Sequence, residues 1–220
     1  MNAEAGGRIT VVLDDVVAAA APLAWSSALA RALQRELQVV YVERTAVLAA
    51  AALPITQALA HAAAVWMPYG PADIERGFRL QVARLRELMR QVGQQHALSP
   101  SLQIVRGALH HAAMDVDGQS DLVLMGAAAL LSPSAAPLQR CRSVLVWSDD
   151  SEQGAQLVEF AMRCAQSLGA TPHVVRAKGQ LDVGEVQTAQ ADLLVLPRAA
   201  VSARVLAGAR RPLLLVGRKG

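Results

Sequence analysis

The chain has 220 residues, enough for one large or two small domains with a sizeable core. Hydrophobic residues make up 53% and charged residues 18%, which excludes an intrinsically disordered chain. Only 3% of residues are aromatic, the formal net charge is +3, and no cluster of Lys and Arg forms a phosphate-tracking stripe, so we expect no nucleic-acid partner.

The N-terminal residues MNAEAGGRITVVLDD lack the basic-then-apolar order of a signal peptide. The two cysteines, Cys141 and Cys164, are far apart and fit no metal or redox spacing. This predicts two plain thiols in a reducing cytosol and therefore a cytoplasmic location.

Eight stretches rich in branched aliphatic residues predict buried strands. In chain order they are ITVVL (9–13), QVVYV (38–42), LQIV (102–105), DLVLM (121–125), SVLVW (143–147), HVV (173–175), DLLVL (192–196) and PLLLV (212–216). Near-continuous apolar runs are typical of strands that are buried on both faces of a sheet.

Three segments between these strands have apolar residues at helical spacing, over 25–33, 74–92 and 157–168. Pro71 suits the first turn of the second helix, and Ser151 and Gly169 suit the N-cap and the end of the third. Strands that alternate with helices predict an α/β fold with a doubly wound, mostly parallel sheet.

One segment without formal charge lies between Arg44 and Asp73, and its stretch TAVLAAAALPITQALAHAAAVW is long enough to span a bilayer. Pro54, Gln57 and His61 interrupt it, and alanine gains little free energy from lipid. We interpret this segment as a buried or interface helix, and we expect no membrane insertion.

The chain also repeats itself. SDLVLMGAAAL (120–130) aligns with ADLLVLPRAAV (191–201), and ITVVLDD (9–15) aligns with VLVWSDD (144–150). The repeat predicts one α/β lobe over 1–142 and a truncated second lobe over 143–220. Two complete five-strand lobes would need more strands than the eight found, so SVLVW is either shared by both lobes or one strand has been lost.

The order of these motifs resembles the universal stress protein family. The resemblance rests on ITVVLDD, VVYVE, QIVRGALHHAAMDVDGQSDLVLMG and RCRSVLVW, followed by SVLVWSDDSEQGAQLVEFAMRCAQSLGA as the opening of a second copy. It implies a Rossmann-like, adenine-nucleotide-alpha-hydrolase-like fold in tandem, and a stress or regulatory role.

The resemblance also implies candidate ligand-binding residues. In nucleotide-binding members an aspartate after the first strand helps to hold the nucleoside, and Asp14 and Asp149 match that position. Gly107 stands in the turn after the third strand, and Met125-Gly126 matches the start of the phosphate loop. The full candidate set is Asp14, Val42, Gly107, Met125, Gly126 and Asp149.

Beyond Gly126 the match to the phosphate loop stops. ATP-binding members continue with Gly-x-x-Gly, whereas the first half continues with AAALLSPSAAPLQ and the second half has LPRAAVSARVLAG. Glycine lets consecutive backbone N–H groups turn toward phosphate oxygens, and proline has no N–H to offer. We therefore expect no ATP binding and no cofactor.

Two adjacent pairs suggest other chemistry. Asp14 with Asp15 could serve acid–base or Mg²⁺ chemistry, and His110 with His111 could bind a metal. Adjacent residues usually point apart, so neither pair is expected to share one ion. With no nucleophile elbow and no dinucleotide fingerprint, we expect no metal site and no enzyme; weak nucleotide hydrolysis at Asp14 or Asp149 is the least favoured alternative.

The leading hypothesis is a non-enzymatic universal-stress-type protein that has lost ATP binding and acts through contacts with an unidentified protein. The alternative is a module that binds a nucleotide or another small molecule in a pocket around Asp14 and Gly126. An open sheet edge or the uncharged stretch Thr45–Gly70 predicts a homodimer, with Leu53, Leu59 and Trp66 buried in the interface or against the sheet.

Overall fold

A computed structural model describes residues 7–53, 57–60, 65–68, 70–116, 120–126, 140–176 and 181–217, with the backbone alone for 58–60 and 65–68. Its strands are β1 (Arg8–Leu13), β2 (Glu36–Arg44), β3 (Gln57–Ala60), β4 (Val65–Pro68), β5 (Ser101–Gly107), β6 (Ser120–Met125), β7 (Ser143–Ser148), β8 (Thr171–Arg176), β9 (Leu193–Pro197) and β10 (Leu213–Val216). The helices are α1 (Ala20–Ala32), α2 (Thr45–Ala51), α3 (Pro71–His96), α4 (Leu109–Asp115), α5 (Glu152–Leu168), α6 (Val183–Thr188) and α7 (Ala203–Gly208), with a 3₁₀ turn at Arg198–Ala200.

Eight strands form one sheet in the order β5-β2-β1-β6-β10-β9-β7-β8, and they are the eight strands that the sequence predicts. All neighbours in this sheet are parallel except β6 and β10, which are antiparallel. The strands of the second half therefore run opposite to those of the first half. The predicted doubly wound, mostly parallel α/β fold is confirmed.

Helices cover both faces of this sheet. On the first face α1, α3 and α5 bury residues such as Leu23, Leu85 and Phe160 against β1, β2 and β7. On the second face α4, α6 and α7 bury Leu109, Val186 and Leu206 against the other side of the same sheet. The second-face helices have only six or seven residues each, and α3 has 26. The second face is therefore covered less completely.

The predicted ends of the long helices are confirmed. Pro71 is the first residue of α3, where its missing N–H leaves no helical hydrogen bond unmade. The Ser151 side chain accepts a hydrogen bond from Gly154 N and caps α5, and Gly169 ends α5 with a φ of 65°.

The predicted helix in the uncharged segment is wrong for most of its length. Helix α2 ends at Ala51, and the antiparallel hairpin β3–β4 follows it. Alanine supports the helix, but Pro54 follows three residues later in the sequence, and proline cannot continue a helix. In the described part of the chain, no helix is long and apolar enough to cross a membrane.

Strand β7 has both of its partners in the second half, namely β8 and β9. It makes no pairing with β6. The place beside β6 is taken instead by β10. Residues of both halves line the same two hydrophobic clusters, so the sheet and its core are continuous across the predicted boundary at 142/143.

Candidate functional site

The six candidate residues lie at two separate places. The strand order reverses at the first strand of each half: β1 lies between β2 and β6, and β7 lies between β8 and β9. Ligands of α/β proteins commonly bind at the carboxyl end of a strand in this position. Asp14 and Gly126 follow β1 and β6 at one end of the sheet. Asp149 follows β7, which runs the opposite way, and so lies at the other end.

Asp14 is buried at the end of β1, with 7% of its surface exposed. Its Oδ2 lies 3.6 Å from Nε of Arg44, the last residue of the neighbouring strand β2. Burial raises the pKa of the Asp14 carboxyl above its ordinary value, and the Arg44 charge opposes this rise only in part. The carboxylate is therefore held by the protein itself and is not presented to solvent.

The other first-half candidates serve the sheet. The side chains of Val42 and Met125 are buried in the second-face cluster. Gly126 N donates to the carbonyl of Val12 at 3.0 Å, which extends the β1–β6 pairing by one residue. Gly107 ends β5, two strands away from β1, and pairs with Arg44. Asp14 and Gly126 thus lie on adjacent strands, whereas Gly107 lies apart from them.

Asp149 has the same place in the second half and the opposite environment. It is exposed, and its Oδ1 accepts hydrogen bonds from Ser151 Oγ at 2.5 Å and Ser151 N at 3.2 Å. These bonds lower the pKa of the Asp149 carboxyl. A Cβ on Gly154 would collide with the carbonyl and carboxylate oxygens of Asp149, so glycine is needed for α5 to start this close to the strand end. Ser151 caps α5, and Asp149 orients Ser151.

A crevice of about 280 Å³ lies beside Asp149, between the ends of β7 and β9. Its walls include Trp147, Leu157, Pro197 and Ala200. The volume lies just below the range of roughly 300–1,000 Å³ that is typical of small-molecule sites. Polar side chains such as Ser148 and Gln153 share the lining, so the crevice suits a small group with apolar and polar parts.

Arg198 follows Pro197. In the alignment of the two halves it corresponds to the residue after Gly126. Its side chain is buried, and Nη2 donates to the carbonyls of Ala113, Met114 and Val116 at 3.4, 3.0 and 2.9 Å. These carbonyls belong to the end of α4, in the first half of the chain. Arg198 therefore ties the two halves together and caps the negative end of a helix.

Of the two alternative pairs, Asp14 and Asp15 point apart as expected, whereas the rings of His110 and His111 lie close together. Asp15 Oδ1 accepts from Val17 N at 2.9 Å and closes a turn, while Asp14 faces Arg44. The rings of His110 and His111 are 4.2 Å apart, and no group of three or more metal-binding side chains occurs among the described residues.

Both cysteines are free thiols in the core, as expected of plain thiols. Burial raises the pKa of Cys141 and of Cys164 to about 12, so neither is a reactive thiolate near neutral pH.

Sequence reasoning missed Arg44 and Arg198. Arg44 lies two residues beyond Val42, and parallel strand ends meet at one edge, so its proximity to Asp14 was available from the predicted strands. Arg198 gives no comparable local signal, because its acceptors lie more than 80 residues earlier. A Gly-x-x-Gly spacing does occur once, at Gly217 and Gly220, but it follows β10 and not β6 or β9.

No protein-family model and no curated protein sequence matches this chain. A solved structure of a universal stress protein from Archaeoglobus fulgidus DSM 4304 is similar over 96% of both chains, with 10% sequence identity and a TM-score of 0.49. A similarity of this degree decides neither family nor function. The fold class rests on the sheet and the helices of the chain itself.

Proposed function

We propose that this protein is a non-enzymatic, universal-stress-type protein that has lost ATP binding and acts through protein–protein contacts. The observation that carries the proposal is that the residues at the start of both loops, after β6 and after β9, already serve the fold. Pro197 offers no N–H, and Nη2 of Arg198 donates to the carbonyls at the end of α4. Gly126 N is taken up by Val12 O. A phosphate at either loop would lose the first donor that it needs.

Nucleotide binding is tested directly by thermal shift with ATP, ADP and AMP, with and without Mg²⁺, because a ligand that binds the native state raises its stability. We expect no shift and no phosphate release from ATP. A calorimetric Kd of a few micromolar that is lost in Gly126→Val, but kept in Gly77→Ala, would overturn the proposal. A Cβ at Gly77 meets nothing within 4 Å, so that variant controls for a generic glycine effect.

A second candidate function is a small-molecule module. The crevice of about 280 Å³ beside Asp149 favours it, although the sequence pointed to Asp14 and Gly126 for the pocket. Nucleosides without phosphates are the probes for this candidate. A thermal shift that Ala200→Trp abolishes by filling the crevice would support it over the leading proposal.

Self-association is part of the proposal. Leu53 has 56% of its surface exposed in the single chain, so it is not buried against the sheet, and the interface alternative remains for this residue. The side chains of Leu59 and Trp66 lie outside the described residues. We expect light scattering to give about twice the chain mass. Leu53→Glu and Leu59→Glu should reduce assembly, while a clean monomer at high micromolar concentration would rule the homodimer out.

A further inference from the structure

Among the described residues, the eight-stranded sheet ends in two strands with only one neighbour each, β5 and β8. Strand β8 contains Pro172, which has no N–H and protects an edge against pairing. Strand β5, SLQIVRG, has no proline along its seven residues. Of the two edges, β5 is therefore the better template for an added strand.

Arginines of α3 lie beside this edge. Glu75 of α3 lies 3.9 Å from Arg106 of β5, which shows that this side of the helix faces the edge strand. Arg79, Arg86 and Arg90 follow Glu75 by 4, 11 and 15 residues, and at about 100° per residue they lie within about 60° of it around the helix. We call these three arginines the edge stripe.

The three arginines of the edge stripe are exposed to solvent, so their positive charge is accessible to an acidic partner. Arg79 and Arg86 form no ion pair or hydrogen bond with any described residue, and Arg90 is bonded within its own helix, to Glu87 and Gln94. From sequence alone no basic stripe was expected, because the arginines are not contiguous; the helix brings them into one row. The row spans about 16 Å, and seven residues of extended chain span about 20 Å.

The other face of β5 borders a cleft of about 510 Å³ with a mixed lining. Its floor includes Gln38 and Gln103, with Gln38 Nε2 donating to Gln103 Oε1 at 3.1 Å, and its wall includes His111 and Asp115 of α4. This cleft lies where the short α4 leaves β2 and β5 uncovered. Amide and imidazole groups suit hydroxyl or amide side chains.

These features define the chemistry of an added strand. Successive side chains of an extended segment point to opposite faces of the sheet. Leu102 and Ile104 share the first face with α3, and Gln103 and Val105 share the second face with the cleft. An added segment would thus turn alternate side chains toward the edge stripe and the others toward the cleft.

A second copy of this chain does not fit the edge. Antiparallel pairing of β5 with its own copy would place both edge stripes on the same face of the joined sheet, flanking one junction. Like charges that meet in this way oppose association.

We propose that β5 docks an extended segment of a partner protein that has acidic side chains at alternate positions and small polar side chains between them. This inference rests on the proposed function, which requires a protein partner, and it names that partner's chemistry. Backbone hydrogen bonds to β5 supply the affinity, and the edge stripe and the cleft supply the selection.

The probe is a fluorescein-labelled seven-residue peptide of alternating glutamate and threonine, matched to the length of β5 and measured by fluorescence anisotropy with the full chain. We expect a Kd of about 100 µM or tighter at moderate salt. The same peptide with lysine in place of glutamate, or with its glutamates grouped in one block, should bind at least about tenfold more weakly. A peptide N-methylated along its backbone should lose binding, since it cannot add as a strand.

The matched variants are Arg79→Glu/Arg86→Glu and, as control, Arg84→Glu/Arg204→Glu, which makes the same change in net charge. Arg84 lies about 180° from Glu75 around α3, and Arg204 is exposed on α7. We expect the first variant to weaken peptide binding about tenfold and the control to change it by about twofold or less. Circular dichroism and thermal melting check that both variants are folded.

Several outcomes overturn this inference. They are equal weakening by the two variants, unchanged binding of the N-methylated or block peptide, no binding up to about 1 mM, or binding of a thymidine oligonucleotide at the edge stripe in place of the peptide. None of these results bears on nucleotide binding at Gly126, so this inference and the loss of ATP binding fail independently.

Discussion

The two halves carry the same Asp-Asp motif at the end of their first strands, and they use it in opposite ways. Asp14 is buried beside Arg44, and its carboxyl has a raised pKa because burial disfavours the charge. Asp149 is exposed beside Ser151, and its carboxyl has a lowered pKa because two hydrogen bonds favour the charge. The motif alone therefore does not determine a role; the neighbours of each carboxylate do. In the first half the aspartate is a buried ion-pair partner, and in the second half it helps to begin a helix.

The largest expected effect concerns the loop that follows in the second half. Arg198→Ala removes a buried guanidinium and leaves the carbonyls of Ala113, Met114 and Val116 without that donor. We expect it to lower the free energy of unfolding by about 3 kcal/mol. Urea denaturation monitored by circular dichroism measures the change. Arg204→Ala, on the exposed side of α7, is the control and should lower the free energy of unfolding by about 0.5 kcal/mol or less. Equal losses for the two variants would show that the Arg198 hydrogen bonds do not stabilise the contact between the halves.

A smaller effect is expected at the start of α5. Ser151→Ala removes the hydroxyl that accepts from Gly154 N, so the free energy of unfolding should fall by about 1 kcal/mol. Ser167→Ala, near the end of the same helix, is the control, since it removes no cap. Helix α1 of the first half has no side-chain cap, so Val16, at the position that corresponds to Ser151, should tolerate alanine without any loss of capping. An unchanged melting temperature for Ser151→Ala would remove the capping role.

The smallest expected effects are on the pH dependence of stability. They test the contrast between Asp14 and Asp149 most directly, because the two carboxylates should act with opposite signs. A raised folded pKa means that Asp14 contributes most when protonated, below the unfolded value near 3.8, and that this contribution is lost as pH rises through the folded pKa. A lowered folded pKa means that Asp149 contributes fully above the unfolded value and loses this contribution as pH falls.

Stability curves at about pH 3 and about pH 7 check these signs. The stability of Asp14→Asn relative to the unaltered chain should increase with pH, and that of Asp149→Asn should decrease. The same sign for both variants would contradict the contrast between the two carboxylates.

Much of this fold could be predicted because the signals are local. All eight sheet strands were found from runs such as ITVVL and DLLVL, and Ser151 and Gly169 marked the ends of α5 correctly. The hairpin β3–β4 was missed because its alanine-rich sequence favours helix, and strand pairing in the folded chain decided otherwise.

The candidate site was less predictable than the fold. Asp14 and Asp149 look alike over seven residues, and what separates them is Arg44 on a neighbouring strand and Ser151 in the next turn. The role of Arg198 depends on carbonyls in the other half of the chain. The position of β10 next to β6 depends on packing between strands distant in sequence, which no local pattern encodes.

The position of β10 also has a consequence for biosynthesis. Strand β6 ends at Met125 and its partner β10 begins at Leu213. At the usual rate of about 5–20 residues per second, the ribosome needs several seconds to make the roughly 90 residues between them. During that time the apolar edge of β6 has no strand to cover it, and it is open to pairing with other nascent chains. Rapid translation of this interval or shielding by a chaperone should therefore raise the yield of folded protein.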